Sequence, residues 1–171
     1  GRAAVVISAG ITDHDGTRPA MLAAARRHGV RILGPNCIGM IRPGLALNAS
    51  FAHLVPPEGR LAFVSQSGAI IGAVIDWAAG RRIGFSHVVS MGDMADVSIS
   101  DVLDHLAAEG GVRAILLYLE GIKDAQAFMS AARAAARIKP VIALKSGRHS
   151  AGAAAARSHT GALAGSDALF D

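Results

Sequence analysis

Leu61-Ala62-Phe63-Val64-Ser65-Gln66-Ser67-Gly68-Ala69 is an apolar run that stops on two hydroxyls, an amide and a glycine. Apolar residues bounded by a turn signal read as a buried strand over 61–64, and the stretch 69–79 behind the turn reads as a helix. The unit then recurs. A strand over 85–89 leads through a loop containing Gly92 to a helix over 100–107. A strand over 114–119 leads to a helix over 125–138, and a strand over 141–144 follows. Repeated β-α-β with apolar runs predicts an α/β fold: a doubly wound parallel sheet with helices on both faces and right-handed crossovers. In the flavodoxin-like order the second of these four strands lies outside the first, and the third lies on the first strand's other side. The switch point then falls between first and third, and ligands bind beyond their carboxyl ends. The turn after the first is Ser65-Gln66-Ser67-Gly68; the turn after the third is Glu120-Gly121.

Upstream the pattern is a second, shorter α/β unit. Val5-Val6-Ile7 reads as a strand, 18–28 as a helix stopped by Gly29, and 30–33 as a strand. Gly34-Pro35-Asn36-Cys37 is a turn by composition. Residues 38–60 look irregular, with Pro43, Pro56 and Pro57, and Val55-Pro56-Pro57-Glu58-Gly59 is the expected linker between a part over 1–57 and a part over 58–171. Both ends look cut. A strand begins almost at once, and Ser166-Asp167-Ala168-Leu169-Phe170-Asp171 reads as a helix start with no helix behind it, so a fragment of something longer is expected.

Composition narrows the class. Of 171 residues 51% are hydrophobic, enough for a packed core. The formal charge is +4, but the basic residues are scattered and no aromatic is interleaved with them, which suits an anionic small molecule better than nucleic acid. One cysteine excludes an internal disulfide framework and fits a reducing compartment, so the expected location is the cytoplasm. No apolar run approaches a membrane span.

Three segments carry chemistry. In Ser65-Gln66-Ser67-Gly68 a helix start offers unpaired N–H groups and partial positive charge to a phosphoryl group, and the same tetrapeptide is what an ordinary Ser67 cap looks like. Glu120 ends an apolar strand, where a carboxylate can orient an imidazole or simply be solvated. His159, in Arg157-Ser158-His159-Thr160-Gly161, is flanked by small residues that let a bulky group approach the ring. Histidine is a covalent nucleophile whose near-neutral pKa leaves the attacking form populated. The other six histidines have no partner in the pattern, and no metal-ligand spacing appears. Lys145-Ser146-Gly147-Arg148 reads equally as a phosphate-steering loop or a solvated basic turn. Cys37 reads as a small buried hydrophobe rather than a nucleophile, for want of a base. Neither glycine-rich nucleotide signature is present.

Taken together, Leu33-Gly34-Pro35-Asn36-Cys37-Ile38-Gly39, Phe63-Val64-Ser65-Gln66-Ser67-Gly68-Ala69, Leu117-Tyr118-Leu119-Glu120-Gly121-Ile122, Leu144-Lys145-Ser146-Gly147-Arg148 and Ser158-His159-Thr160-Gly161 to Gly165 resemble the nucleoside-diphosphate-forming acyl-CoA synthetases: ADP-forming acetyl-CoA synthetase and, more distantly, the succinyl-CoA synthetase alpha subunit. The resemblance runs over essentially the whole chain. It implies that 1–57 is the last part of a Rossmann-like CoA-binding domain and 58–171 a C-terminally truncated succinyl-CoA-ligase-like flavodoxin-fold domain. It implies that His159 is the phosphorylated histidine, that Glu120 orients it, and that Ser65, Gln66, Ser67 and Gly68 receive the phosphoryl group. Ile7, Ser8 and Ala9 would touch CoA, with Asn36 and Cys37 near the meeting point of thioester and phosphate. The implied partners are acyl-CoA, phosphate, and an ATP-grasp domain or subunit outside this chain that supplies ADP/ATP or GDP/GTP with Mg²⁺, in an oligomer without nucleic acid or membrane. The alternative is an acyl-CoA-sensing, synthetase-like region fused to a protein lysine acetyltransferase. That branch often lacks the histidine, so the presence of His159 favours the synthetase.

Overall fold

The computed structural model describes residues 2–146. His159 and its loop, Gly147, Arg148 and the helix start at Ser166 lie outside them. In chain order the elements are β1 (Ala3–Val5), α1 (Thr17–Arg27), β2 (Arg31–Leu33), β3 (Gly39–Arg42), a one-turn 3₁₀ segment (Pro43–Leu45), β4 (Leu47–Ser50), β5 (Glu58–Ser65), α2 (Gly68–Ala79), β6 (Phe85–Ser90), α3 (Ile99–Ala108), β7 (Ala114–Leu119), α4 (Ala125–Ala136) and β8 (Val141–Lys145).

β1 and β2 form a two-stranded parallel sheet joined through α1. The other strands form one sheet in the order β4-β3-β6-β5-β7-β8. Within it β6-β5-β7-β8 are parallel, with β6 on one side of β5 and β7 on the other. That is the flavodoxin-like order expected from the sequence, and it puts the switch point between β5 and β7.

Alternation along β5 builds two cores. Ala62 and Val64 join Leu103, Leu106, Ile115, Leu117, Leu119 and Phe128 beneath α3 and α4. Phe63 joins Ile41, Ile71, Ile75, Phe85 and Val88 beneath α2. Fully burying a Leu, Ile or Phe side chain is worth about 1.5–3 kcal/mol, so these two layers fix the strand order and with it the position of the turns at the strand ends.

The structure differs from the sequence reading over 38–60. Residues 39–50 are not irregular: β3 and β4 make an antiparallel hairpin, and β3 adds antiparallel to β6 through Met40↔Val89 and Ile41↔Val88. The hairpin extends the sheet built by residues downstream of the proline-rich segment. Its strands are only four residues each, and Ile41 is buried in the layer that holds Phe63 and Val88, contributed by β5 and β6.

Candidate functional site

The carboxyl ends of β5 and β7 are held together by side chains. Ser65, fully buried, folds its hydroxyl onto its own turn: Oγ donates to the Ser67 carbonyl at 2.8 Å and accepts from the Ser67 N–H at 3.0 Å. Gln66 reaches across to the next turn. Its Oε1 accepts from the N–H of Glu120 and from that of Gly121 (3.0 Å). Its Nε2 donates to the Gly121 carbonyl at 2.7 Å and to Met94 Sδ at 3.7 Å. The four hydrogen-bonding positions of the amide are all used. Of the four residues expected to face a phosphoryl group, then, Ser65 and Gln66 spend their side chains inside the protein. The Ser67 hydroxyl and the first N–H groups of α2 remain.

Among the described residues, no side chain closes those N–H groups. Ser67 occupies the N-cap position of α2 with extended backbone, yet its side chain makes no capping hydrogen bond, and the first turn holds no acid. The reading of Ser67 as an ordinary cap therefore does not hold. An uncapped helix start of a twelve-residue helix presents orphan donors and the positive end of the helix dipole. Gly68 is needed for packing: a Cβ there would come within 2.7 Å of Ile38 Cγ2, so the helix start sits directly against the segment following Cys37.

That segment brings the upstream part to the same edge. The Asn36 N–H donates to the Ser8 carbonyl at 3.0 Å, and Asn36 Nδ2 donates to Asp93 Oδ1 at 3.1 Å. Ile7, Ser8 and Ala9 are exposed beside it. The Ile38 N–H donates to the buried Ser90 Oγ at 3.1 Å. Cys37 is buried, its thiol directed at the Val6 carbonyl (3.4 Å), and burial pushes its pKa up. It is an inward-facing packing residue, as its composition suggested, and only its backbone shares the turn with Asn36.

The loop from β6 to α3 is the part that sequence reasoning missed. Gly92, at φ +55°, lies so close to residue 35 that a Cβ would stand 2.1 Å from the Pro35 carbonyl oxygen. Asp93 pairs with Arg18 at 3.4 Å as well as with Asn36. Lys123 Nζ donates to the carbonyls of Asp93 and Met94, and its pKa is held down by burial and by Arg18, against Asp93 and Asp13. The only sequence signal was a loop carrying Gly92 and several acidic or hydroxyl residues. Beside it a cleft of about 150 Å³ is lined by Met94, Ile99, Ile122, Lys123 and Phe128, among others. Glu120, half-buried, follows β7 with its backbone N–H held by Gln66. Five segments, 7–9, 34–38, 65–68, 91–94 and 120–123, thus meet at one edge. No cluster of three or more potential metal ligands occurs among the described residues.

An open helix N-terminus at the switch point, cross-braced to a carboxylate-bearing turn, is the arrangement expected of a phosphate-handling flavodoxin-like domain. The model of the family described as succinyl-CoA ligase like flavodoxin domain matches residues 58–171. The chain belongs to this family. Among its relatives, ADP-forming acetate–CoA ligase I of Archaeoglobus fulgidus is 47% identical over 167 residues, covering 95% of this chain and 24% of that protein. The alpha subunit of ADP-forming acetate–CoA ligase II of Pyrococcus furiosus is 42% identical, covering 98% of this chain and 37% of that subunit. The solved structure of the Ca. Korarchaeum cryptofilum dinucleotide forming acetyl-coenzyme A synthetase 1, in complex with phosphate and ADP, matches with a TM-score of 0.87 at 37% identity, over 99% of this chain and 37% of that one. The family member described here thus spans a quarter to rather more than a third of these proteins. No helix among its described residues is long and apolar enough to cross a membrane.

Proposed function

We propose that this chain is part of an NDP-forming acyl-CoA synthetase and carries its phosphohistidine step. The observation that carries this reading is the uncapped α2 start at Ser67-Gly68, with no acid in its first turn, beside the Glu120 turn. In the reaction a phosphate oxygen attacks the thioester carbonyl of acyl-CoA. The C–S bond breaks, the CoA thiolate leaves and takes a proton, and acyl phosphate forms. A ring nitrogen of His159 then attacks phosphorus, the P–O bond to the acyl group breaks, and the carboxylate leaves. Glu120 accepts the hydrogen bond of the other ring N–H and stabilises the charge that develops on the ring. The Ser67 hydroxyl and the N–H groups of α2 hold the phosphoryl oxygens.

Residues 1–57 supply the CoA-binding part in this reading, with the β3–β4 hairpin within them added to the sheet of the part that follows. The exposed segment Ile7-Ser8-Ala9 and the Asn36 turn line the approach of the thioester. The nucleoside diphosphate, ADP or GDP, and its Mg²⁺ are bound by an ATP-grasp domain or subunit of the same cytoplasmic oligomer. An acyl-CoA-sensing region of a lysine acetyltransferase is the second reading. The relatives named above are ligases, which favours the first.

The test uses the full-length protein. Incubation with ATP and Mg²⁺ is expected to label His159 in an acid-labile, base-stable form, and His159→Ala is expected to abolish the label. Label that survives the substitution would overturn the assignment. CoA binding without any phosphate or nucleotide exchange would favour the sensing module.

A further inference from the structure

We propose that Gln66 is a positioning residue whose amide sets the place of Glu120, and not a ligand of the phosphoryl group. The proposal rests on the phosphohistidine reading above and deepens it. Any residue in a β5 turn can lie near a phosphate; few are spent as Gln66 is. Its oxygen holds two successive N–H groups, those of Glu120 and Gly121, while its nitrogen holds the Gly121 carbonyl. An amide is the only side chain of this length that both accepts and donates with no charge. It therefore clamps the peptide on each side of Gly121 and fixes the direction in which the chain leaves β7. The second amide proton goes to Met94 Sδ, in the loop whose Asp93 and Met94 carbonyls take the Lys123 ammonium. The Glu120 turn is thus held from two sides, by Gln66 beneath it and Lys123 after it. None of these bonds is satisfied within the turn's own chain segment. A backbone turn with its polar groups tied to a neighbouring strand's side chain loses a defined geometry when that side chain goes, because the freed N–H groups turn to water.

The experiment compares Gln66→Ala and Gln66→Glu in the full-length protein, reading the single-turnover rate of His159 phosphorylation, the KM for phosphate and the melting temperature. With Gln66→Ala the rate is expected to fall about tenfold to a hundredfold, the size of effect that a displacement of about 1 Å at a reacting group produces, while the phosphate KM stays within about twofold. In Gln66→Glu the introduced carboxylate still accepts from the two N–H groups but repels the Gly121 carbonyl and the Glu120 charge. These two neighbours raise its pKa, against the two N–H groups, which lower it. Protonation restores a donor, so the rate of this variant relative to the parent is expected to climb as pH falls, whereas the Gln66→Ala ratio stays flat. Lys123 and Asp93, also ionisable residues of the bridged segments, are common to all three proteins and cancel in the ratio, whereas Glu120 couples to the introduced carboxylate, so the ratio reports the titration of that pair. A raised phosphate KM with an unchanged rate, or a Gln66→Glu ratio independent of pH, overturns the proposal. Should Gln66→Ala fail to fold, the pH ratio of Gln66→Glu decides alone. Absence of label in the parent would instead defeat the phosphohistidine reading itself.

Discussion

Three helices start at the carboxyl edge of the large sheet, and they start differently. α3 is closed by a capping box: Ser98 Oγ accepts from the Asp101 N–H while Asp101 Oδ2 accepts from the Ser98 N–H. α4 is closed by Asp124, whose Oδ1 accepts from the Ala127 N–H at 2.9 Å. Both place a carboxylate where an anion would sit. α2 has neither a side-chain cap nor an acid. A helix start that satisfies itself is a structural element; one that leaves its donors and positive end open has room for a ligand's negative charge. Of the three, the open one is the one at the switch point.

Giving α2 what its neighbours have should break the difference. Ala69 is exposed in the first turn of α2, and Ala69→Asp puts a carboxylate there. His159 phosphorylation in the full-length protein is expected to slow by about a hundredfold or more, while stability stays level or rises by about 0.5 kcal/mol. Single-turnover labelling and thermal melting read the two effects, and an unchanged labelling rate would remove the special status of α2.

Glu120→Gln keeps the turn and its Gln66 bonds but removes the charge. Phosphoryl transfer is expected to slow by roughly a hundredfold, about 2.7 kcal/mol in barrier, with the fold spared. Equal labelling rates for variant and parent would leave Glu120 as a solvated strand end.

The opposite end of the sheet sharpens the lesson, because an unsatisfied polar group there is sealed in. His87, near the start of β6, is 4% exposed, and neither ring nitrogen has a hydrogen-bond partner among the described residues. Burial, with Arg42, His105 and Lys139 adding to it against Glu109, pushes its pKa from 6.5 to about 4. The folded ring stays neutral while the unfolded chain takes up a proton first, so stability is full above pH 6.5 and is lost as pH falls from there towards about 4. The loss from this one group is up to about 3 kcal/mol. Urea unfolding at pH 7 and pH 4.5 should show it in the parent, and His87→Leu should flatten that part of the slope. An equal slope in both would assign the acid sensitivity elsewhere. Open donors at α2 invite a ligand; sealed ones at His87 only cost stability in acid.

The smallest effect comes from opening a closed helix start. Asp124→Ala removes the α4 cap and is expected to cost about 1 kcal/mol of stability, measured by denaturant titration, with phosphate KM unchanged. A shift in phosphate KM would mean that α4 also takes part in the site.

Much of this was legible in the sequence because it is carried by local pattern. The apolar runs near 61–64, 85–89, 114–119 and 141–144 sit within the observed β5 to β8, and the order of those strands followed from chain connectivity. The adjacency of the Ser65-Gly68 and Glu120 turns followed in turn from that order. What was not legible depends on residues far apart in the chain. β3 exists by pairing with β6, and β4 by pairing with β3. The roles of Gln66, Asp93 and Lys123 are set by what they reach across the edge, and a polar residue in a loop looks the same in sequence whether it faces solvent, ligand or a neighbouring turn. Whether Ser67 caps its helix is likewise a matter of one rotamer that no spacing encodes.

The most direct test of the α2 assignment is a crystal structure of the full-length protein with inorganic phosphate bound. The expected result is phosphate oxygens within hydrogen-bond distance of the first N–H groups of α2 and the Ser67 hydroxyl, with the Gln66 amide still on Glu120 and Gly121. Phosphate bound at the edge but away from α2, or a Ser67 side chain turned back to cap its own helix in the phosphate-bound state, would contradict it.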